Sequence, residues 1–70
     1  MENLETKELA SVLEGILFAS GEPVDVGRLA FALELDRETT EQLLQHLADY
    51  YAYERRGMRL IRMDDAYQLI

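Results

Sequence analysis

Few residues in this chain could do acid–base, nucleophilic or metal chemistry. His46 is the only histidine and there is no cysteine, so nothing completes a metal set, and a solvated histidine on the polar side of a helix accounts for it. Asp64 and Asp65 are adjacent carboxylates, but two aspartates between apolar runs are what a turn uses, because their short side chains bond nearby backbone. Gly21 and Gly57 belong to no glycine-rich run ending in lysine, so a phosphate-cradling loop is not encoded. These residues argue against an enzyme and against a cofactor, a metal or a small-molecule substrate. The chemistry that remains is binding. Four of the 7 basic residues, Arg55, Arg56, Arg59 and Arg62, gather in one stretch. They suit contact with a phosphate backbone or an acidic partner, or else pair with Glu54, Asp64, Asp65 and acidic helix surfaces nearby.

The elements that must position these residues follow from apolar spacing. Leu9, Val12, Leu13, Ile16 and Leu17 recur at three- and four-residue steps, which predicts a helix over residues 4–19. Ser20, Gly21 and Pro23 end it, since glycine accepts the left-handed conformation and proline cannot continue the helix. Asp25 is placed to cap a second, short helix through its carboxylate, with the stripe Val26, Leu29, Ala30 and Leu33 and an end near Glu34. Asp36 repeats the capping logic for a third, whose stripe is Leu43, Leu44, Leu47, Tyr50 and Tyr51. The joint between the second and third, around Leu35 and Asp36, resembles that of a helix-turn-helix. Beyond Gly57 the texture becomes strand-like, from Met58 to Met63 and from Tyr67 to Ile70, with Asp64, Asp65 and Ala66 expected to form the turn. Three helices and a C-terminal hairpin predict a mainly α winged helix-turn-helix. Its 70 residues allow one domain. No apolar run approaches a membrane span and the first residues carry no secretion signal; together with the lack of cysteine this predicts a cytoplasmic protein.

A winged helix most often reads DNA with its third helix. Here that helix offers Glu38, Glu41, Gln42, Gln45, His46 and Asp49, with Arg37 only at its start, in a chain with 14 acidic residues and a net charge of −7. Carboxylates brought against phosphates repel, with little counterion release to compensate. A DNA-binding transcriptional regulator is therefore the alternative rather than the first reading, and DNA contact is expected to be weak or indirect. The 49% apolar content is more than a small globule can hide. On a helical wheel Phe31 lies away from the stripe of the second helix and Phe18 away from Leu13 and Ile16. They are candidates for a protein interface; the alternative is a fold-back contact with the wing or a chain end. Tyr50, Tyr51, Tyr53 and Tyr67 suggest an aromatic surface, but Tyr50 and Tyr51 lie on or beside the stripe of the third helix, so core packing with exposed hydroxyls is expected instead.

The stretch Glu14, Gly15, Ile16, Leu17, Phe18, Ala19, Ser20, Gly21, Glu22, Pro23 and Val24 resembles the signature of the ScpB family of segregation and condensation proteins. The pattern Arg56, Gly57, Met58, Arg59, Leu60, Ile61, Arg62 and Met63, closing on Tyr67, Gln68 and Leu69, is similar to that family's first wing, although Asp64, Asp65 and Ala66 stand where small residues are usual. The resemblance implies a non-enzymatic, nucleoid-associated adaptor that forms homodimers and joins the kleisin ScpA, which bridges the heads of an SMC ATPase in bacterial condensin. It further implies that residues 1–70 are the first of two winged-helix domains, an excised N-terminal unit.

Overall fold

The computed structural model describes residues 4–54 and 57–70, with side chains from residue 7 onward. In chain order the elements are α1 (Leu4–Ser20), β1 (Val24–Asp25), α2 (Val26–Leu33), α3 (Arg37–Glu54), β2 (Leu60–Met63) and β3 (Ala66–Leu69). The three helices match the apolar spacing to within a residue or two. Helix α1 stops where expected, with Gly21 at φ 68° and the Ser20 hydroxyl donating to the Glu22 carbonyl at 2.8 Å.

The strands depart from the sequence expectation in two ways. A third strand is present: the two-residue β1 pairs antiparallel with β3, Val24 opposite Tyr67 and Asp25 opposite Ala66, giving the sheet order β1-β3-β2. A strand so short has no periodicity to detect; it exists because the chain leaving Pro23 lies beside the outer edge of β3. Ala66 belongs to β3, opposite Met63, so the hairpin turn is Asp64 and Asp65 alone. Asp64 takes a positive φ of 57°, which a two-residue hairpin demands and aspartate tolerates better than most residues.

The core is one cluster in which Leu13 and Leu17 of α1, Val24, the stripe Val26, Leu29 and Leu33 of α2, Leu44, Leu47 and Tyr51 of α3, and Tyr67 of β3 are buried together. Two of the sequence expectations for α3 change. Tyr51 is fully buried and its hydroxyl donates to the Glu14 carboxylate on α1, so that hydroxyl is not exposed. Tyr50, one residue round the helix, leaves 43% of its surface exposed. Thr40 is polar and fully buried; its hydroxyl donates back to the Asp36 carbonyl at 2.9 Å, one helical turn earlier, so that hydroxyl is paired.

The two caps behave differently. Asp36 caps α3 as its position implies, one carboxylate oxygen accepting from the Thr39 N–H at 3.1 Å and the other from the Thr39 hydroxyl at 2.6 Å. These bonds, the hydroxyl bond first, hold the Asp36 pKa below its ordinary value. Asp25 occupies the cap position of α2 in extended conformation but makes no side-chain cap bond. The first N–H of α2, that of Val26, donates to the Asp65 carbonyl at 2.7 Å, so the wing turn satisfies one of the free amides at the start of α2. At the far end of α2, Glu34 adopts φ 59° and ψ 43°. Its N–H donates to Phe31 and that of Leu35 to Ala30, at 3.1 and 3.0 Å. This is the paired bonding of a helix end that ordinarily carries glycine, and it makes the sharp joint into α3.

Candidate functional site

The residues singled out for binding fall on separate parts of this scaffold. Phe31 projects from α2 between the buried positions Ala30 and Leu33 and is 83% exposed; Phe18, near the end of α1, is 57% exposed. Neither is enclosed by the wing, as a fold-back contact would require. Their exposure follows from the helical wheel: residues 26, 29, 30 and 33 point inward, and 31 is rotated about 100° from residue 30. Around Phe18 the exposed residues of α1 include the uncharged Ser11, Val12, Gly15 and Ala19, with Lys7 and Glu8 exposed nearer its start. Val12 (47% exposed), Tyr53 (81%) and Ile70 (56%) join these phenylalanines among the exposed large apolar groups. Of the tyrosines that suggest an aromatic surface in the sequence, Tyr50 and Tyr53 are exposed whereas Tyr51 and Tyr67 are buried; Ile70 was not singled out, because a residue at a strand end has too few periodic neighbours to be assigned a face.

Of the four clustered arginines, Arg55 and Arg56 lie outside the described residues. Arg59 is exposed just before β2, and its backbone exchanges a pair of 2.9 Å hydrogen bonds with Ile70. Arg62, in β2, donates from Nε to the Asp64 carbonyl at 2.9 Å and stands 3.8 Å from the Glu41 carboxylate. Its guanidinium also lies 5.8 Å from the centre of the Tyr67 ring, its cross-strand partner. Asp65 pairs with Arg37 at 2.7 Å, and Arg37 reaches Glu41 at 3.2 Å on the next turn of α3. These two carboxylates raise the Arg37 pKa, the Glu41 bond contributing most. Arg37, Glu41, Arg62 and Asp65 thus form one exposed polar cluster that fastens the wing turn to the start of α3. That cluster occupies the one cation that the third helix could have offered to DNA.

The remaining exposed surface of α3 carries Glu38, Gln42, Gln45, His46 and Asp49. His46 borders a groove of about 380 Å³ between α1 and α3, with Lys7, Glu14 and Tyr50. Among the described residues no group of three histidine, cysteine or carboxylate side chains is placed to hold a metal ion, and no helix is long and apolar enough to cross a membrane.

Comparison with known proteins shows the family. Residues 11–70 match the family model described as segregation and condensation complex subunit ScpB. The chain belongs to the ScpB family. Segregation and condensation protein B of Lachnoclostridium phytofermentans is 36% identical over 66 residues, covering 94% of this chain and 35% of that protein. The protein of the same name from Agathobacter rectalis is 40% identical over 60 residues, covering 84% and 32%. The chain therefore spans about a third of the length of the curated ScpB proteins it matches. Its fold is that of a solved ScpB N-terminal domain, crystallised as a dimer complexed with ScpA peptide: the TM-score is 0.87 at 22% identity, over 94% of this chain and 83% of that one. The winged helix predicted from apolar spacing is thus the ScpB N-terminal fold.

Proposed function

We propose that this chain is the N-terminal winged-helix domain of a two-domain, non-enzymatic adaptor in a bacterial SMC–kleisin condensin, acting at the nucleoid by pairing with a second copy of itself and joining the kleisin ScpA. The observation that carries this reading is the distribution of exposed groups. The helix that would enter a DNA groove is acidic, while Phe18 and Phe31 stand in solvent on the other two helices. Exposed phenylalanines gain from association through apolar burial, at about 25 cal/mol per Å², and aromatic anchors of this kind concentrate binding energy in interfaces. Family membership supports a role in segregation and condensation, and the related N-terminal domain was crystallised as a dimer with ScpA peptide. In this reading ATP hydrolysis belongs to the SMC partner.

Titration calorimetry of the chain with ScpA from the same organism tests this. Binding is expected, and Phe31→Asp is expected to weaken either self-association or ScpA binding by roughly tenfold or more, as loss of an aromatic anchor does. If both remain unchanged in the folded variant, Phe31 has no part in the interface. The alternative, a DNA-binding regulator, has one feature in its favour, the wing arginines. Titration with duplex DNA at low ionic strength separates the two: tight binding that falls steeply with salt and is lost on Arg59→Glu would establish the alternative.

A further inference from the structure

Two arginines from different elements converge on one carboxylate oxygen. Oε2 of Glu41, on the second turn of α3, lies 3.2 Å from Nε of Arg37 and 3.8 Å from Nη2 of Arg62 on β2. Nη2 of Arg37 meets Oδ1 of Asp65, in the wing turn, at 2.7 Å. These four side chains keep between 31% and 65% of their surface exposed, so the cluster is open to any ion or chain that approaches. Guanidinium groups grip carboxylate and phosphate oxygens alike, through the same planar N–H donors. The arrangement is an anion site whose anion is the protein's own side chain.

Its place in the fold gives it meaning. Arg37 opens α3, and the N-terminal residues of a recognition helix are those that meet DNA bases. Arg62 faces the same carboxylate from the wing. Neither arginine depends on Glu41 alone for its position. Arg62 donates from Nε to the Asp64 carbonyl at 2.9 Å, and its guanidinium lies 5.8 Å from the centre of the buried Tyr67 ring; Arg37 is tied to the wing turn through Asp65. The net charge of −7 acts from a distance, and salt screens it beyond roughly 8 Å at physiological ionic strength. A carboxylate already touching both arginines competes for their donors at contact range, where screening does not help a phosphate.

We infer that Glu41 and Asp65 stand in for phosphate, filling an arginine clamp between α3 and the wing and so excluding the DNA backbone from the surface through which a winged helix reads DNA. The two carboxylates are specificity-determining residues. With them the winged helix stays off DNA; without their charge, a phosphate oxygen takes the place of Oε2 of Glu41 between the two guanidiniums and releases condensed counterions. The exclusion is independent of which protein the domain joins.

The test is fluorescence anisotropy of a labelled DNA duplex, titrated with the parent chain and with Glu41→Gln/Asp65→Asn over about 50–200 mM salt. Both amides keep an acceptor oxygen for the arginines and remove only the charge; circular dichroism melting verifies that the variant folds. The double variant is expected to bind at least about tenfold more tightly than the parent, with log K falling against log salt at a slope of about −2 or steeper, as two or more phosphate contacts require. Glu41→Gln alone, which leaves the wing turn as it is, is expected to give a smaller gain in the same direction. Adding Arg37→Gln and Arg62→Gln is expected to abolish the gain. Glu38→Gln/Asp49→Asn removes the same charge from the exposed surface of α3 but leaves the clamp filled, and is expected to behave as the parent. Three results would overturn the proposal and leave the adaptor reading untouched: no gain in either Glu41 variant, an equal gain in Glu38→Gln/Asp49→Asn, or a gain that survives the loss of Arg37 and Arg62. Tight, salt-dependent binding by the parent would overturn both.

Discussion

The two ends of α3 are held by opposite means. Its C-terminal half is anchored by Tyr51, a large side chain with no exposed surface, whose hydroxyl reaches the Glu14 carboxylate on α1. Its N-terminal end is held by exposed polar contacts: the Asp36 cap, the Arg37 pairs with Glu41 and Asp65, and the Arg62 contact with Glu41. Buried area and a hydrogen bond to a charged group stabilise strongly, whereas exposed ion pairs stabilise little because water screens them. The comparison teaches that stability resides in the buried cluster to which Tyr51 belongs, while the polar contacts join the wing turn to the start of α3. That division also bears on function, since the polar end consumes the cations that a DNA-reading helix would need free.

Substitutions can break this contrast, beginning at the buried end. Tyr51→Ala is expected to cost about 3–5 kcal/mol, enough to unfold so small a domain, as read by thermal melting followed by circular dichroism. Tyr51→Phe keeps the ring and removes only the bond to Glu14, for an expected loss of about 1.5–3 kcal/mol; a loss as small as that of an exposed pair would erase the distinction. At the joint, Glu34→Gly relieves a left-handed backbone and is expected to stabilise by about 0.5–1 kcal/mol in urea unfolding. At the polar end, Arg37→Ala is expected to lower the melting midpoint by no more than a few degrees while moving the amide signals of Asp64 and Asp65.

The polar end should also carry a pH signature. The Asp36 pKa is depressed in the fold by its bonds to Thr39, so the ionised carboxylate favours the folded state. Its contribution is complete above the unfolded aspartate value, roughly 3.9, and is lost as pH falls through the lower folded value. Asp36→Asn retains a capping oxygen but not the charge. The stability gap between the two proteins is therefore expected to be constant near neutral pH and to narrow below about pH 4. A gap that widened in acid would reverse the assigned sign.

Much of this architecture was legible in the chain because it depends on local periodicity. The stripes of α1, α2 and α3, the stop at Gly21 and the cap at Asp36 each involve residues within one or two helical turns. What escaped depends on tertiary placement. β1 is a strand only because β3 lies beside it. The Val26 N–H finds the Asp65 carbonyl because the wing folds back to the start of α2. Glu34 hides a helix end that glycine would have announced, and the choice between Tyr50 and Tyr51 as the core residue turns on where α1 crosses α3. For binding, the wheel singled out Phe18 and Phe31, whereas the exposure of Ile70 at the end of the last strand became visible only in the fold.

The central claim is that this domain works by joining proteins, beginning with a second copy of itself. Sedimentation velocity of the chain over a wide concentration range tests it most directly, with the Phe18→Asp and Phe31→Asp variants beside it. A concentration-dependent shift from monomer to dimer, diminished by at least one of these substitutions in a protein that keeps its melting midpoint, is the predicted result. A monomer at every concentration, or a dimer indifferent to both substitutions, would contradict the interface assigned to these phenylalanines.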